Sequence, residues 1–243
     1  MYDIITFGSA TQDIVVKPKK LTSLKYDKSP DSNGVCFPFG SKIDVEDMMF
    51  VTGGGGTNTA TTFALQGFKT AFCGSVGTDL SGQQIINELK SFKIDTKFVI
   101  KTDKKMTNHS VVILNENHDR TILAYRGAAE LTDGNNIPWK KLQTKWMYLA
   151  PLSGLLCDTF EQMVNFAFEH KIKIAVNPGI AQLSLPNFAE IAKKIDVLIL
   201  NEEEASFLTK IPLQNEKEIF KKIDQMCPGI ILMTKGSSGA LVS

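Results

Sequence analysis

Short apolar runs alternate with amphipathic stretches along most of this chain, and that rhythm restricts its fold more than any other feature. Ile4–Phe7, Thr70–Cys73, Trp146–Leu149, Ile172–Val176, Val197–Leu200 and Ile230–Met233 read as strands buried on both faces. Between them, Thr57–Gln66, Gly82–Phe92, Asp158–His170, Phe188–Lys194, Glu202–Leu208 and Glu216–Met226 read as helices. Asp158 and Thr159 are predicted to cap the stripe formed by Phe160, Met163, Val164, Phe166 and Ala167. Strands that alternate with helices predict an α/β fold with a central, mainly parallel sheet.

Two regions break the rhythm. Residues 13–52 hold the strand-like pieces Ile14–Val16 and Met49–Thr52, separated by a polar stretch containing Pro and Gly. Residues 108–126 hold Ser110–Leu114 and Thr121–Tyr125, joined by a polar turn at Asn115–Asp119. Strand pairs without an intervening helix do not fit a helix-covered parallel sheet. They predict a small β element projecting from the main domain, either a lid or an ordinary surface hairpin.

Composition excludes several function classes. The 243 residues carry 27 Lys and Arg against 26 Asp and Glu, a formal charge of +1, without the basic excess that nucleic-acid binding requires. The Lys17-Pro18-Lys19-Lys20 cluster reads as a solvated strand end. Cys36, Cys73, Cys157 and Cys227 lie far apart and form no Cys-x-x-Cys pair, which argues against zinc, a redox motif or a disulfide framework. The N-terminus does not resemble a signal peptide, and no run approaches the ~18 apolar residues of a membrane span. The expected address is the cytoplasm. His109, His118 and His170 are scattered and read as structural or solvated.

The most informative stretch is Thr52-Gly53-Gly54-Gly55-Gly56-Thr57-Asn58-Thr59-Ala60, which runs into a helix. Glycines permit close backbone approach and positive φ, and a helix start offers free N–H groups, so physical chemistry alone suggests an anion site. The loop has neither the Gly-Lys-Ser/Thr of a Walker motif nor the Gly-x-Gly-x-x-Gly of a first βα unit.

Beyond it, Gly54-Gly55-Gly56-x-Asn58-x-Ala60 is followed by Gly67 and by Gly74-Ser75-Val76-Gly77-Thr78-Asp79. This pattern resembles the first signature of PfkB-type carbohydrate kinases, the ribokinase-like family. Gly8–Asp13, Arg120-Thr121, Gly127–Ala129, Asn177–Gly179, Asn201–Glu204 and Thr234–Gly239 resemble other family segments in the family's order. The resemblance implies a three-layer ribokinase-like α/β fold, with a small β-strand lid drawn from about 13–52 and 108–126. Residues 1–243 would then form one such domain, incomplete at its C-terminal part.

The implied activity is transfer of the γ-phosphoryl group of ATP to a hydroxyl of a sugar or nucleoside. Thr11, Asp13, Gly54, Gly55 and Asn58 would bind that substrate. A carboxylate, an amide and exposed backbone groups supply the mixed acceptors and donors a polyol needs. This hydroxyl reading of the glycine loop replaces the anion reading on family grounds. Asn177, Thr234, Gly236, Ser237 and Gly239 would hold the nucleotide, and Glu204 would hold Mg2+ through water. Lys235 is a candidate phosphate contact or an ordinary exposed lysine, and Asn201 a candidate helix cap. By analogy, two chains would pair through the lid as a homodimer.

The sequence departs from the family in two places. The family's Gly-Ala-Gly-Asp stretch, source of the catalytic base and an anion hole, does not occur in these 243 residues. The expectation is a C-terminally truncated and inactive chain from an active parent. Ribose-binding members carry a glutamate where this chain reads Tyr148-Leu149-Ala150-Pro151-Leu152-Ser153, so ribose is one option beside a nucleoside, a fructose-type sugar or a phosphosugar. Two other functions remain: a non-catalytic sugar-binding or regulatory protein, and a nicotinamide-dependent dehydrogenase.

Overall fold

The computed structural model describes residues 1–25, 33–115 and 120–243. The first strand, β1 (Tyr2–Phe7), leads into β2 (Thr11–Pro18), β3 (Thr22–Lys25), β4 (Asn33–Cys36) and β5 (Val45–Gly53). Then come α1 (Gly55–Leu65), β6 (Thr70–Gly77), α2 (Leu80–Ser91), β7 (Asp95–Thr102), β8 (Asn108–Leu114) and β9 (Arg120–Tyr125). The second half contains β10 (Thr144–Leu149), α3 (Leu155–Asp158), α4 (Phe160–Glu169), β11 (Lys173–Val176), α5 (Ile180–Leu183) and α6 (Phe188–Ala192). It closes with β12 (Val197–Asn201), α7 (Glu202–Thr209), α8 (Glu216–Met226), β13 (Ile230–Thr234) and β14 (Ala240–Val242).

Eight strands form the main sheet in the order β14-β13-β12-β11-β10-β1-β6-β7. Every pair is parallel except β13–β14, a hairpin. The chain builds outward from β1 to β7, then returns to the other side of β1 at β10. The boundary between β1 and β10 is therefore the point where the winding reverses, the usual place for a ligand crevice in such sheets.

One face of the sheet packs Ile5, Phe7, Met147, Leu149, Ile174, Val176, Leu198 and Leu200 against Phe160, Met163, Phe188, Ile219 and Ile223 of the helices α4, α6 and α8. The opposite face packs Phe72 and Val76 against Ala60, Ile85, Ile86 and Leu89 of α1 and α2. Farther along that face, Trp146, Tyr148, Val197, Ile199 and Leu232 are only half-buried.

The lid strands form a second sheet, ordered β5-β2-β8-β9. In it β2 runs antiparallel to β5 and parallel to β8. The two interruptions of the sequence rhythm thus pair with each other across a long separation. On β5, Met48, Met49, Phe50 and Val51 are all exposed, as are Ile122, Leu123 and Tyr125 on β9.

Two expectations need correction. Thr159 does precede α4, but its side chain makes no capping bond; its hydroxyl donates instead to the Leu155 carbonyl, and Asp158 belongs to α3. The apolar stripe behind it holds, with Phe160, Met163, Val164 and Ala167 buried. The strand β7 and the β3–β4 hairpin were not foreseen. The turn expected to hold His118 lies outside the described residues.

Candidate active site

Of the four loop glycines, only Gly54 has a positive φ, at 104°. The others are required by what lies against them. A Cβ on Gly53 would sit 1.9 Å from Asp13 Oδ2. A Cβ on Gly55 would lie 3.0 Å from the Ala150 Cβ, and one on Gly56 would fall 2.7 Å from the Phe72 ring and 2.9 Å from the Gly8 carbonyl carbon. These clearances let the end of β1, the start of α1 and the end of β10 meet at the winding reversal.

The N–H groups at the start of α1 are already engaged. Those of Gly56 and Thr57 donate to the Ser9 carbonyl at 3.1 and 3.4 Å, and that of Gly55 to the Ser9 hydroxyl at 3.2 Å. An anion here would have to displace a satisfied internal cap, so the anion reading of this loop falls on structural grounds. Ser9 is a site-forming residue the sequence reading passed over.

Asp13 sits on β2 opposite Val51 of β5 and Ser110 of β8. The Ser110 hydroxyl donates to Asp13 Oδ1, which fixes the carboxylate over the space that Gly53 leaves open. Thr11 and Ser110 line a crevice of 450 Å3 between the lid and the ends of β1, β10 and β11. Its walls also carry Ser9, Asn108, His109, Arg126 and Ser153. Among the described residues, the crevice wall mixes hydroxyls and the Asn108 amide with Pro151, Leu152 and Ile180, and carries no carboxylate. Asn58, by contrast, is exposed on α1 and lines a second hollow of 290 Å3 with Thr52, Thr61, Thr62 and Glu88.

The lid is anchored by polar contacts at its root. Asp79 caps α2 by accepting from the Gly82 N–H, and it also accepts from the Thr107 N–H and hydroxyl, each at 2.7–2.8 Å. Burial alone would raise the Asp79 carboxyl, but these hydrogen bonds outweigh it and hold the group below the usual range. Asn108 is 5% exposed, and its Oδ1 accepts from the Gly127 and Ala129 N–H groups, pinning the exit of β9. His109 bonds Ser81 Oγ and the Thr107 carbonyl, a structural use of that side chain.

The nucleotide candidates lie along the same edge of the sheet. Asn177 follows β11, and its amide donates to the Ile199 carbonyl at 3.1 Å. Asn201 and Glu204 form a reciprocal capping box at the start of α7, at 2.7 and 2.9 Å, an arrangement worth about 1 kcal/mol. Thr234 pairs in register with Asn201. Gly236, Ser237 and Gly239 make the β13–β14 turn, in which the Ser238 and Gly239 N–H groups bond within the turn and the Lys235 N–H bonds the Gly239 carbonyl. The Lys235 ammonium pairs with Glu216 instead of facing open solvent. Strands lie about 4.8 Å apart, so the four steps from β13 to β1 span about 19 Å along this edge.

Among the described residues, no group of three His, Cys, Asp or Glu side chains forms a metal cage. That donor set suits magnesium in one mode only, with a single carboxylate acting through water and phosphates completing the shell. On this edge Glu204 is a half-buried carboxylate at the start of α7, with its Oε2 already accepting from the Asn201 N–H. No helix among the described residues is long and apolar enough to cross a membrane. All four cysteines are free thiols, and burial pushes Cys73 up to about 12.

Comparison with known proteins gives a consistent result. The profile of the pfkB family carbohydrate kinases matches residues 4–243. A ribokinase from Staphylococcus aureus (strain COL) is 28% identical over 205 residues, covering 82% of this chain and 66% of that protein. A deoxyribokinase from Salmonella typhi is 26% identical over 206 residues, covering 83% of this chain and 67% of that protein. The chain thus spans about two thirds of the length of these curated relatives. The structure of Arabidopsis thaliana ribokinase complexed with ribose and ATP superposes with a TM-score of 0.76 at 20% identity, covering 100% of this chain and 74% of that one.

Proposed function

The chain belongs to the pfkB family of carbohydrate kinases, and on that premise we propose that its parent protein transfers the γ-phosphoryl group of ATP to a hydroxyl of a sugar or nucleoside. The observation that carries this reading is the hydroxyl-lined crevice at the winding reversal, with Asp13 held beside it by Ser110 and Gly53. A carboxylate held in this way can accept from two adjacent hydroxyls and set the orientation of the acceptor, which is a large part of catalysis in phosphoryl transfer. Thr11 and the backbone at Gly54 and Gly55 complete the grip, and Asn58 joins it if the lid closes toward α1.

Asn177 and the turn from Thr234 to Gly239 are assigned to the nucleotide, on the same sheet edge as the acceptor. Gly236 and Ser237 supply the backbone N–H groups for its phosphates, and the Ser237 hydroxyl adds a further donor. Glu204 would hold magnesium through water, and the ion would neutralise phosphate charge. Such a kinase is assigned to the cytoplasm, in keeping with four reduced cysteines.

The Gly-Ala-Gly-Asp stretch that supplies the family's base is not part of these 243 residues. Loss of a general base costs about 10²–10⁴-fold, and loss of an anion hole about 3–4 kcal/mol more. The chain by itself is therefore expected to bind sugar but to turn over at no more than a trace rate. An assay of ATP-dependent phosphorylation on ribose, fructose and a nucleoside, run beside a form extended with that stretch, tests this. Full turnover by the 243-residue form would place the base elsewhere.

The exposed row Met48–Val51 on β5 and the exposed Ile122, Leu123 and Tyr125 on β9 favour pairing of two lids as a homodimer. Sedimentation at micromolar protein should show a dimer; a monomer at all concentrations removes this assignment.

A further inference from the structure

We propose that Gln182 is a positioning residue, which ties two walls of the crevice, residues 151–153 and residues 179–181, into one body that responds to a bound acceptor as a unit. The proposal rests on the phosphotransferase reading above. The first wall follows β10, on the acceptor side, and the second follows Asn177, on the side assigned to the nucleotide.

The backbone does not make this tie. The strands β10 and β11 run parallel and in register up to Leu149 and Val176, and the Asn177 N–H then donates to the Leu149 carbonyl at 2.9 Å. Beyond that bond, among the described residues, no backbone hydrogen bond joins the two loops. They nevertheless touch, since a Cβ on Gly179 would lie 3.7 Å from the Pro151 Cβ. Loops that leave neighbouring strand ends without a shared ladder shift independently unless a side chain bridges them.

Gln182 is such a bridge. It sits on the short helix α5, is 1% exposed, and acts from behind the crevice wall. Its Oε1 accepts from the Gly179 N–H at 2.8 Å. Its Nε2 donates across the gap to the Leu152 carbonyl at 3.2 Å and to the Cys157 Sγ. The Cys157 thiol donates to the same carbonyl at 3.1 Å, so that buried oxygen has two donors. These partners also fix the amide's orientation, because a flipped amide would set N–H against N–H and oxygen against oxygen. A plain cap on α5 needs the Oε1 contact alone. The Nε2 contacts reach a segment 30 residues earlier in the chain, and pulling the walls apart would strand buried polar atoms on both. Phosphoryl transfer requires its two reactants to be held in register, and a slip of about 1 Å costs about 100-fold. Gln182 therefore sets the spacing of the acceptor wall relative to the nucleotide wall without lining either.

Hydrogen exchange on the 243-residue chain, with and without the tightest binder among ribose, fructose and adenosine, tests this. In the unmodified chain the ligand should slow exchange in residues 151–158 and 177–183 together. Gln182→Met keeps the volume and removes every polar contact of the side chain. There the joint protection should be lost, and affinity should fall about tenfold, the worth of one or two such bonds. Loss of a cap alone would speed exchange near Gly179 in the free chain but leave the joint response to ligand intact. Cys157→Ala spares the bond from Gln182 to Leu152 and should keep the joint response.

Joint protection that survives in Gln182→Met overturns the proposal. So does a Cys157→Ala chain that loses it as fully, since packing behind the wall would then be the cause. Should Gln182→Met fail to fold, protection of one segment without the other in the unmodified chain overturns it just as well. Ligand binding that depends on Asp13 without joint protection leaves the kinase reading standing and defeats this inference alone. Failure of all three ligands to bind defeats both.

Discussion

Asp13→Asn is expected to lower sugar affinity about 100-fold, and Gly53→Ala to lower it nearly as much. The first effect follows from replacing a charged acceptor of two hydroxyls by a neutral amide that accepts at only one atom. Hydrogen bonds to a charged group contribute about 1.5–3 kcal/mol each, and the stranded hydroxyls of the ligand add a desolvation cost. The second effect is the more discriminating. A Cβ at residue 53 would come 1.9 Å from Asp13 Oδ2, so the carboxylate must swing away from Ser110 and from the ligand. One methyl group that itself touches no sugar would then reproduce the loss of the charge. Calorimetry with the tightest binder among ribose, fructose and a nucleoside reads both. Affinities within twofold of the unmodified chain in Asp13→Asn would remove Asp13 from the grip. A normal affinity in Gly53→Ala alone would show that the carboxylate can bind from another position.

The second large effect concerns stability. Gly74 lies on β6 beside β1, and a Cβ there would meet the Gly8 carbonyl oxygen at 2.4 Å and the Phe72 ring at 2.5 Å. A ring can turn, but the Gly8 carbonyl sits in the tight bend just after β1, packed against the Gly56 backbone and Ala150, and has little room to withdraw. Gly74→Ala should cost about 3 kcal/mol, the upper end for overpacking, and lower Tm by roughly 6–12 °C in a chain of this size. Gly34→Ala is the control, because among the described residues a Cβ there meets only the Leu24 carbonyl at an ordinary 3.7 Å. Thermal unfolding of the two variants side by side checks the claim; equal Tm values would mean that the central strands yield more readily than their packing suggests.

The main sheet was legible because its strands are apolar on both faces, so that runs such as Val197–Leu200 stand out against the helices between them. The strand β7 escaped notice for the opposite reason. Its sequence, Asp95-Thr96-Lys97-Phe98-Val99-Ile100-Lys101-Thr102, lies at the edge of the sheet, and only Phe98 is fully buried. The lid strands were visible as breaks in the pattern, but their pairing across the chain was not, because no local signal encodes it. The same limit applies to the site. Asp13 and the glycine loop were recognisable one at a time. That Gly53 exists to make room for Asp13 depends on the Asp13–Val51 and Thr11–Gly53 register, which is a property of the folded pair. Arg126 carries no motif, and Ser9 lies in the Gly8–Asp13 segment whose resemblance pointed to Thr11 and Asp13; only their place on the crevice wall identifies them. The family resemblance implied Asn58 as a partner of Asp13, and the structure sets it on a separate hollow beside Glu88.

The half-buried row of Trp146, Tyr148, Val197, Ile199 and Leu232 has a consequence for how this polypeptide is expected to behave in bulk. With a formal charge of only +1, molecules repel one another weakly, so such a strip is free to stick to its like. Sulfate or phosphate buffers would worsen that tendency by favouring dehydration of greasy area, and a shielding layer over those side chains would relieve it.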